Sequence, residues 1–190
     1  MNTVALLALL SLTAMGHEPG PEMKYRSFLT RQVRFYWDAQ QDISTFAAQV
    51  RQESGWDTQA RSSHATGLAQ FTPPTAQWLS SIHLEINAQT PFSAESTLDW
   101  KWSLRALVCY DRYLYGKLAN TGEQQWPLTL RAYNGGLGWI LKERSCKGGF
   151  ETSPYECCRK FRALESCREN ISYPDLILNK WKQAYAGWDR

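Results

Sequence analysis

No run of Lys and Arg interleaved with aromatics occurs in the 190 residues, and 21 basic against 18 acidic side chains leave a net charge of only +3. That excludes a nucleic-acid footprint and leaves at most a slight preference for polyanions. Histidine is scarce, with three residues scattered at positions 17, 64 and 83, so no metal site and no cofactor are expected. No segment shows clear period-two alternation, and no internal repeat or low-complexity tract is present. A sheet-based fold and a repeat array are therefore excluded. A hydrophobic content of 43% argues against disorder. What the chain has in quantity is aromatic surface: nine Trp and nine Tyr, either core or the wall of a groove that stacks on sugar rings or other flat apolar faces.

Four of the five cysteines, Cys146, Cys157, Cys158 and Cys167, crowd near the C-terminus without any C-x-x-C spacing. Disulfides are the better reading than zinc. If the neighbours do not bond each other, the pairs are 146–157 with 158–167, or 146–158 with 157–167. Either requires an oxidising compartment, a periplasm or the outside of a cell. Cys109 is left over in an apolar helical run, where a buried thiol is expected. Residues 4–15 form an apolar run with no Lys or Arg before Lys24. Residues 1–20 are expected to be an export signal or an N-terminal apolar helix, with transient membrane contact through residues 4–15. Residues 21–190 form the domain, with a cysteine-rich segment at 146–167.

Helical spacing dominates the remainder. Helices are expected over about 24–37, from an N-cap at Ser44 to Gly55, and from Thr72 with Pro73 just inside. The longest runs from Trp100 to Leu118. Pro127 opens a short helix leading into a tight loop marked by Gly135, Gly136 and Gly138, and a last helix spans 175–185 after Pro174. Residues 80–92 look irregular. The class is mainly α. Within it Glu53 stands out, a carboxylate at a helix end beside the apolar Trp56 and Leu68. The helix dipole and those neighbours disfavour its ionised form, which suits a general acid.

Three motifs in order resemble the lysozyme-like lytic transglycosylases, which cleave peptidoglycan glycan strands. Glu53-Ser54-Gly55-Trp56 resembles the family's Glu-Ser-x-Trp. Gly67-Leu68-Ala69-Gln70 with Pro73-x-Thr75-Ala76 resembles Gly-Leu-Met-Gln with Pro-x-Thr-Ala. Ala132-Tyr133-Asn134-Gly135-Gly136 resembles Ala-Tyr-Asn-x-Gly. Tyr113-Leu114 is a weaker fourth. Glu169-x-x-x-Tyr173 resembles Glu-Thr-x-x-Tyr and is preferred to Glu151-Thr152-x-x-Tyr155, which lies in the cysteine segment. The chain departs from the pattern at Ser62-Ser63-His64-Ala65, one residue shorter than the family's Ser-x-x-Gly-Ala. It departs again at Ala69, where loss of the Met should widen the groove wall.

The resemblance implies a lysozyme-like helical domain with a substrate groove. It also implies one catalytic acid/base, Glu53, since no second carboxylate is evident: Asp57, Glu85, Glu95 and Asp99 sit outside the motifs. The substrate's N-acetyl group would replace the second carboxylate and a 1,6-anhydroMurNAc end would result. Ser62 could hydrogen-bond the acid or cap a turn. Gln70 could contact substrate or hold its loop, and Tyr133 could donate to Glu53, to a sugar, or anchor a Gly turn. Asn134 faces the acid, and Tyr173 is a groove wall or core. His64 is given no role. The expected function is a monomeric, periplasmic or secreted lytic transglycosylase that cleaves the MurNAc–GlcNAc β-1,4 bond, its partner being peptidoglycan glycan strands. Alternatives are a goose-type lysozyme-like hydrolase and a non-catalytic peptidoglycan-binding component of a phage particle or secretion machine.

Overall fold

A computed structural model describes residues 20–88, 90–146 and 154–190. The export or membrane segment and the Glu151-Thr152 motif lie outside these residues, as does part of the cysteine-rich segment. Among the described residues there is no strand, only the isolated antiparallel bridges Arg61–Thr66 and Thr66–Phe71. No described helix is long and apolar enough to cross a membrane.

The helices are α1 (Met23–Tyr36), α2 (Ile43–Ser54), α3 (Pro73–Ile82), α4 (Trp100–Lys117), α5 (Gln125–Gly135), α6 (Leu137–Arg144), α7 (Pro154–Arg159) and α8 (Leu164–Asp175). Every residue from Ile43 to Val50 is buried, the polar Ser44, Thr45 and Gln49 included, so α2 is enclosed on all sides for two turns and runs through the core. Around it close α1 and the C-terminal segment, and α4 reaches it through the Gln49–Asp111 hydrogen bond. Several long-range bonds fix that closure. Asp189 Oδ1 accepts from the Ser44 N–H at 2.8 Å, Lys182 Nζ meets Asp42 Oδ2 at 2.6 Å, and the Trp181 indole donates to Gln52 Oε1 at 2.8 Å. Trp37 stacks on Trp126 with centroids 5.0 Å apart and donates its indole N–H to the Val108 carbonyl.

Several boundaries differ from the sequence expectation, each for a local reason. The N-cap of α2 is Asp42, not Ser44, because the Ser44 N–H finds its acceptor on distant Asp189. Residues 80–92 are not wholly irregular: α3 runs to Ile82, and a 3₁₀ turn follows over Leu84–Asn87. Tyr133, Asn134 and Gly135 belong to α5. Only Gly136, at φ 93°, makes the turn into α6. The last helix begins at Leu164, well before Pro174, which lies inside it. Pro174 has no N–H for the carbonyl one turn back, and the rod continues as a wider π-helical stretch over Leu176–Trp181, then 3₁₀ to Trp188. Cys146 stands at disulfide distance from Cys157, and Cys158 from Cys167, the first of the two possible pairings. Together they tie the end of α6 through α7 to α8. Cys109 is buried and free.

Candidate active site

A cavity of about 590 Å³ opens between the end of α2, the following loop, α4, α5 and α8. Its lining includes all six residues singled out from sequence: Glu53, Ser62, Gln70, Tyr133, Asn134 and Tyr173. These come from positions up to 120 residues apart.

Glu53 reaches the cavity because α2 ends immediately after it. Gly55 adopts the left-handed conformation (φ 60°, ψ 26°) and its N–H closes on the Arg51 carbonyl. Glu53 keeps part of its surface open to the cavity and is otherwise packed round by protein. The Tyr173 hydroxyl donates to Glu53 Oε1. The carboxyl pKa is raised to about 7, chiefly by burial and additionally by the negative charge of Glu169, while the Tyr173 hydrogen bond pulls it back. Among the described residues no Lys or Arg lines the cavity. Trp56 does not supply the apolar wall expected of it. It turns into the core, stacked on Tyr25 at 5.5 Å with its indole N–H on the Tyr185 hydroxyl.

The loop after α2 is held by its own backbone. Gly67, at φ 79°, donates to the Ala60 carbonyl, and a Cβ at this position would stand 1.7 Å from the Thr97 carbonyl oxygen. Gln70 Nε2 donates to the carbonyls of Gly67 (2.9 Å) and Ala60 (3.3 Å), so its amide nitrogen holds the loop. Ser62 Oγ accepts from the Ala65 N–H at 3.0 Å and caps a turn. The short Ser62–Ala65 segment thus closes on itself. Ala69 is fully buried and outside the cavity lining, so the expected widening there is not found. Its carbonyl accepts from the Tyr133 hydroxyl at 2.7 Å. Tyr133 therefore anchors the loop, and Tyr173 is the tyrosine on Glu53.

Asn134 donates to Glu169 Oε1 at 3.1 Å and accepts from Asn170 Nδ2 at 2.9 Å. Asn170 also donates to the Arg131 carbonyl and accepts from Arg131 Nε, and Arg131 is ion-paired with buried Glu143. A polar chain thus runs from the interior to the cavity wall.

Two carboxylates were not singled out for the site from sequence. Glu169 lines the cavity. Asp111 is fully buried on α4, its Oδ1 accepting from Gln49 Nε2 at 3.3 Å and its Oδ2 unpartnered. Burial and the nearby charge of Glu53 push its pKa well above the carboxylate range. The periodicity of α4 could have flagged it, since Asp111 falls on the buried stripe with Leu104, Leu107 and Leu114. Asp57, Glu85, Glu95 and Asp99 stay off the cavity, with Asp99 capping α4. Among the described residues one cluster could hold a cation: His83, Glu85 and Cys109 bring their ligand atoms within 4.8 Å of one another. Burial first, then Glu85, pushes the Cys109 thiol up to about 12, so a cation would have to displace that proton.

Comparison with known proteins gives two kinds of match. The family model described as the transglycosylase SLT domain matches residues 36–155. Among solved structures, an inactive mutant of the lytic transglycosylase Slt from Pseudomonas aeruginosa is similar, with TM-score 0.57 and 21% identity over 86% of this chain and 23% of that one. The 70-kDa soluble lytic transglycosylase from Escherichia coli gives TM-score 0.52 and 21% identity over 85% and 24%. A complex of the 70-kDa enzyme with bulgecin A gives 0.51 and 19% over 88% and 24%. At these identities the likeness is one of fold, and the chain spans about a quarter of the length of those structures. No curated protein matches the chain.

Proposed function

The chain belongs to the transglycosylase SLT domain family, and we propose that it is a peptidoglycan lytic transglycosylase with Glu53 as its single acid/base. The observation that carries this is the company Glu53 keeps: a cavity-facing carboxyl with a neutral phenol on it and no cation among the described lining residues, its pKa raised to about 7. Such a group is protonated for a substantial fraction of molecules at neutral pH, as a general acid requires. Glu53 gives its proton to the glycosidic oxygen of the MurNAc–GlcNAc β-1,4 bond, and the GlcNAc side leaves as an alcohol. The substrate's own N-acetyl group stabilises the positive anomeric carbon. Glu53, now a carboxylate, takes the proton of the muramyl C6 hydroxyl as that oxygen closes on the anomeric carbon. The proton returns to Glu53 and a 1,6-anhydroMurNAc end forms without water. Tyr173 orients the acid. Ser62, Gln70, Tyr133 and Asn134 shape and hold the groove for the glycan strand.

Glu169 favours a second reading. An exposed carboxylate on the same cavity could activate water, as in a goose-type hydrolase. Mass analysis of purified peptidoglycan after digestion separates the two. Anhydro ends are expected; free reducing ends would replace the transglycosylase with the hydrolase. Binding by Glu53→Gln with no cleavage by the wild type would make the chain a wall-binding component. We further place it in a periplasm or outside the cell, as a monomer. The two cysteine pairs call for an oxidising compartment, and residues 1–20 would serve as its export signal.

A further inference from the structure

We propose that the cavity continues outward onto the indole face of Trp78, which acts as an additional sugar-binding platform for the glycan strand. The identity of the ligand rests on the transglycosylase reading. Thr72 and Thr75 on the α3 side and Tyr110 on α4 line the cavity. Trp78 and Tyr113 each lie three residues beyond a lining residue, one helical turn further along the same faces. Their rings continue the lining without a break: Trp78 is 6.1 Å from Tyr110 and 5.2 Å from Tyr113, edge-on to both, and Tyr110 and Tyr113 are nearly parallel at 6.3 Å.

Of this row, Trp78 is the ring left open. Tyr113 is partly buried against the Leu114–Leu118 cluster and is covered by Lys117 Nζ at 5.3 Å from its centroid. Trp78 is 38% exposed, whereas its neighbours Ala76 and Leu79 are fully buried and supply the anchorage of α3. The indole thus keeps an open surface while two tyrosines of α4 fix its plane. A rigid aromatic face beside a carbohydrate-sized cavity suits the C–H face of a pyranose, which binds by apolar contact and dispersion without charge. Its occupant is the next sugar of the β-1,4-linked strand lying in the cavity.

The test is calorimetric binding of peptide-free glycan strands of four and eight sugars to Glu53→Gln, alone and combined with Trp78→Ala or Trp78→Tyr. The longer strand should bind about tenfold more tightly. Trp78→Ala should erase most of that ratio and Trp78→Tyr should retain it. A length advantage that survives Trp78→Ala, or equal weakening on both lengths, overturns the platform. Cleavage by the wild type is scored separately. If nothing is cleaved but the Trp78-dependent ratio is present, the enzyme reading fails and the platform stands.

Discussion

Glu53 on α2 and Glu143 on α6 are both packed within the same helical bundle, but in opposite company. Glu143 is buried against the Arg131 guanidinium, which is itself bonded to Asn170. Glu53 has a tyrosine hydroxyl, a nearby negative charge and a cavity. A guanidinium satisfies a carboxylate and makes it a structural brace. A phenol satisfies one oxygen without neutralising it, so ionisation stays costly and the proton stays available. Burial alone therefore does not mark a catalytic carboxyl; the sign of what surrounds it, together with access to the cavity, does.

The largest effect expected is on turnover. Glu53→Gln should lower peptidoglycan cleavage by about a thousandfold or more while leaving the unfolding transition cooperative. Residual turnover above about one per cent would show that Glu169 or another acid shares the work. The structural carboxylate should behave in the converse way. Glu143→Ala leaves Arg131 buried and unpaired, a loss of about 3–5 kcal/mol measurable by urea unfolding. A loss no larger than that of an exposed Glu would erase the distinction between the two sites.

Stability against pH sharpens the comparison. The folded pKa of Glu53, about 7, lies above its ordinary value of 4.5. Its protonated form is thus favoured by folding: the contribution is fully present below pH 4.5 and lost as pH rises through 7. Glu53→Gln should equal the wild type in acid and exceed it above pH 7 by about 3 kcal/mol. A flat difference across that range would contradict the burial account.

Most of this architecture could be read beforehand, and the failures cluster where distant elements meet. The long α4 helix and the Gly55 stop after Glu53 follow from periodicity and one left-handed residue. Glu53, Gln70, Tyr133, Asn134 and Tyr173 were legible through short motifs, because each motif holds a backbone shape as well as a side chain, and Ser62 through the shortened segment between two of them. The Glu53 partner was not legible. Tyr173 sits on a helix that begins at Leu164 and contains Pro174, whereas a proline ordinarily marks a helix start and put the last helix after it. Asp111 was passed over because an Asp within an amphipathic helix is usually solvated, although its register put it on the buried stripe of α4. Trp56 looked like a cavity wall because sequence adjacency to Glu53 does not reveal that the left-handed turn sends it the other way.

The smallest effect expected is that of Tyr173→Phe. Its hydroxyl favours the charged form of Glu53, so removing it should move the pKa upward and carry the alkaline limb of activity to higher pH. An unchanged limb would mean that Tyr173 acts only as packing.

The most direct test of a single acid/base is the pH dependence of kcat/KM for wild-type cleavage of soluble glycan strands. A lone protonated Glu53 should give one limb, level in acid and falling as pH rises through about 7. A bell-shaped profile with an acid limb would reveal a second, ionised carboxylate and contradict the account.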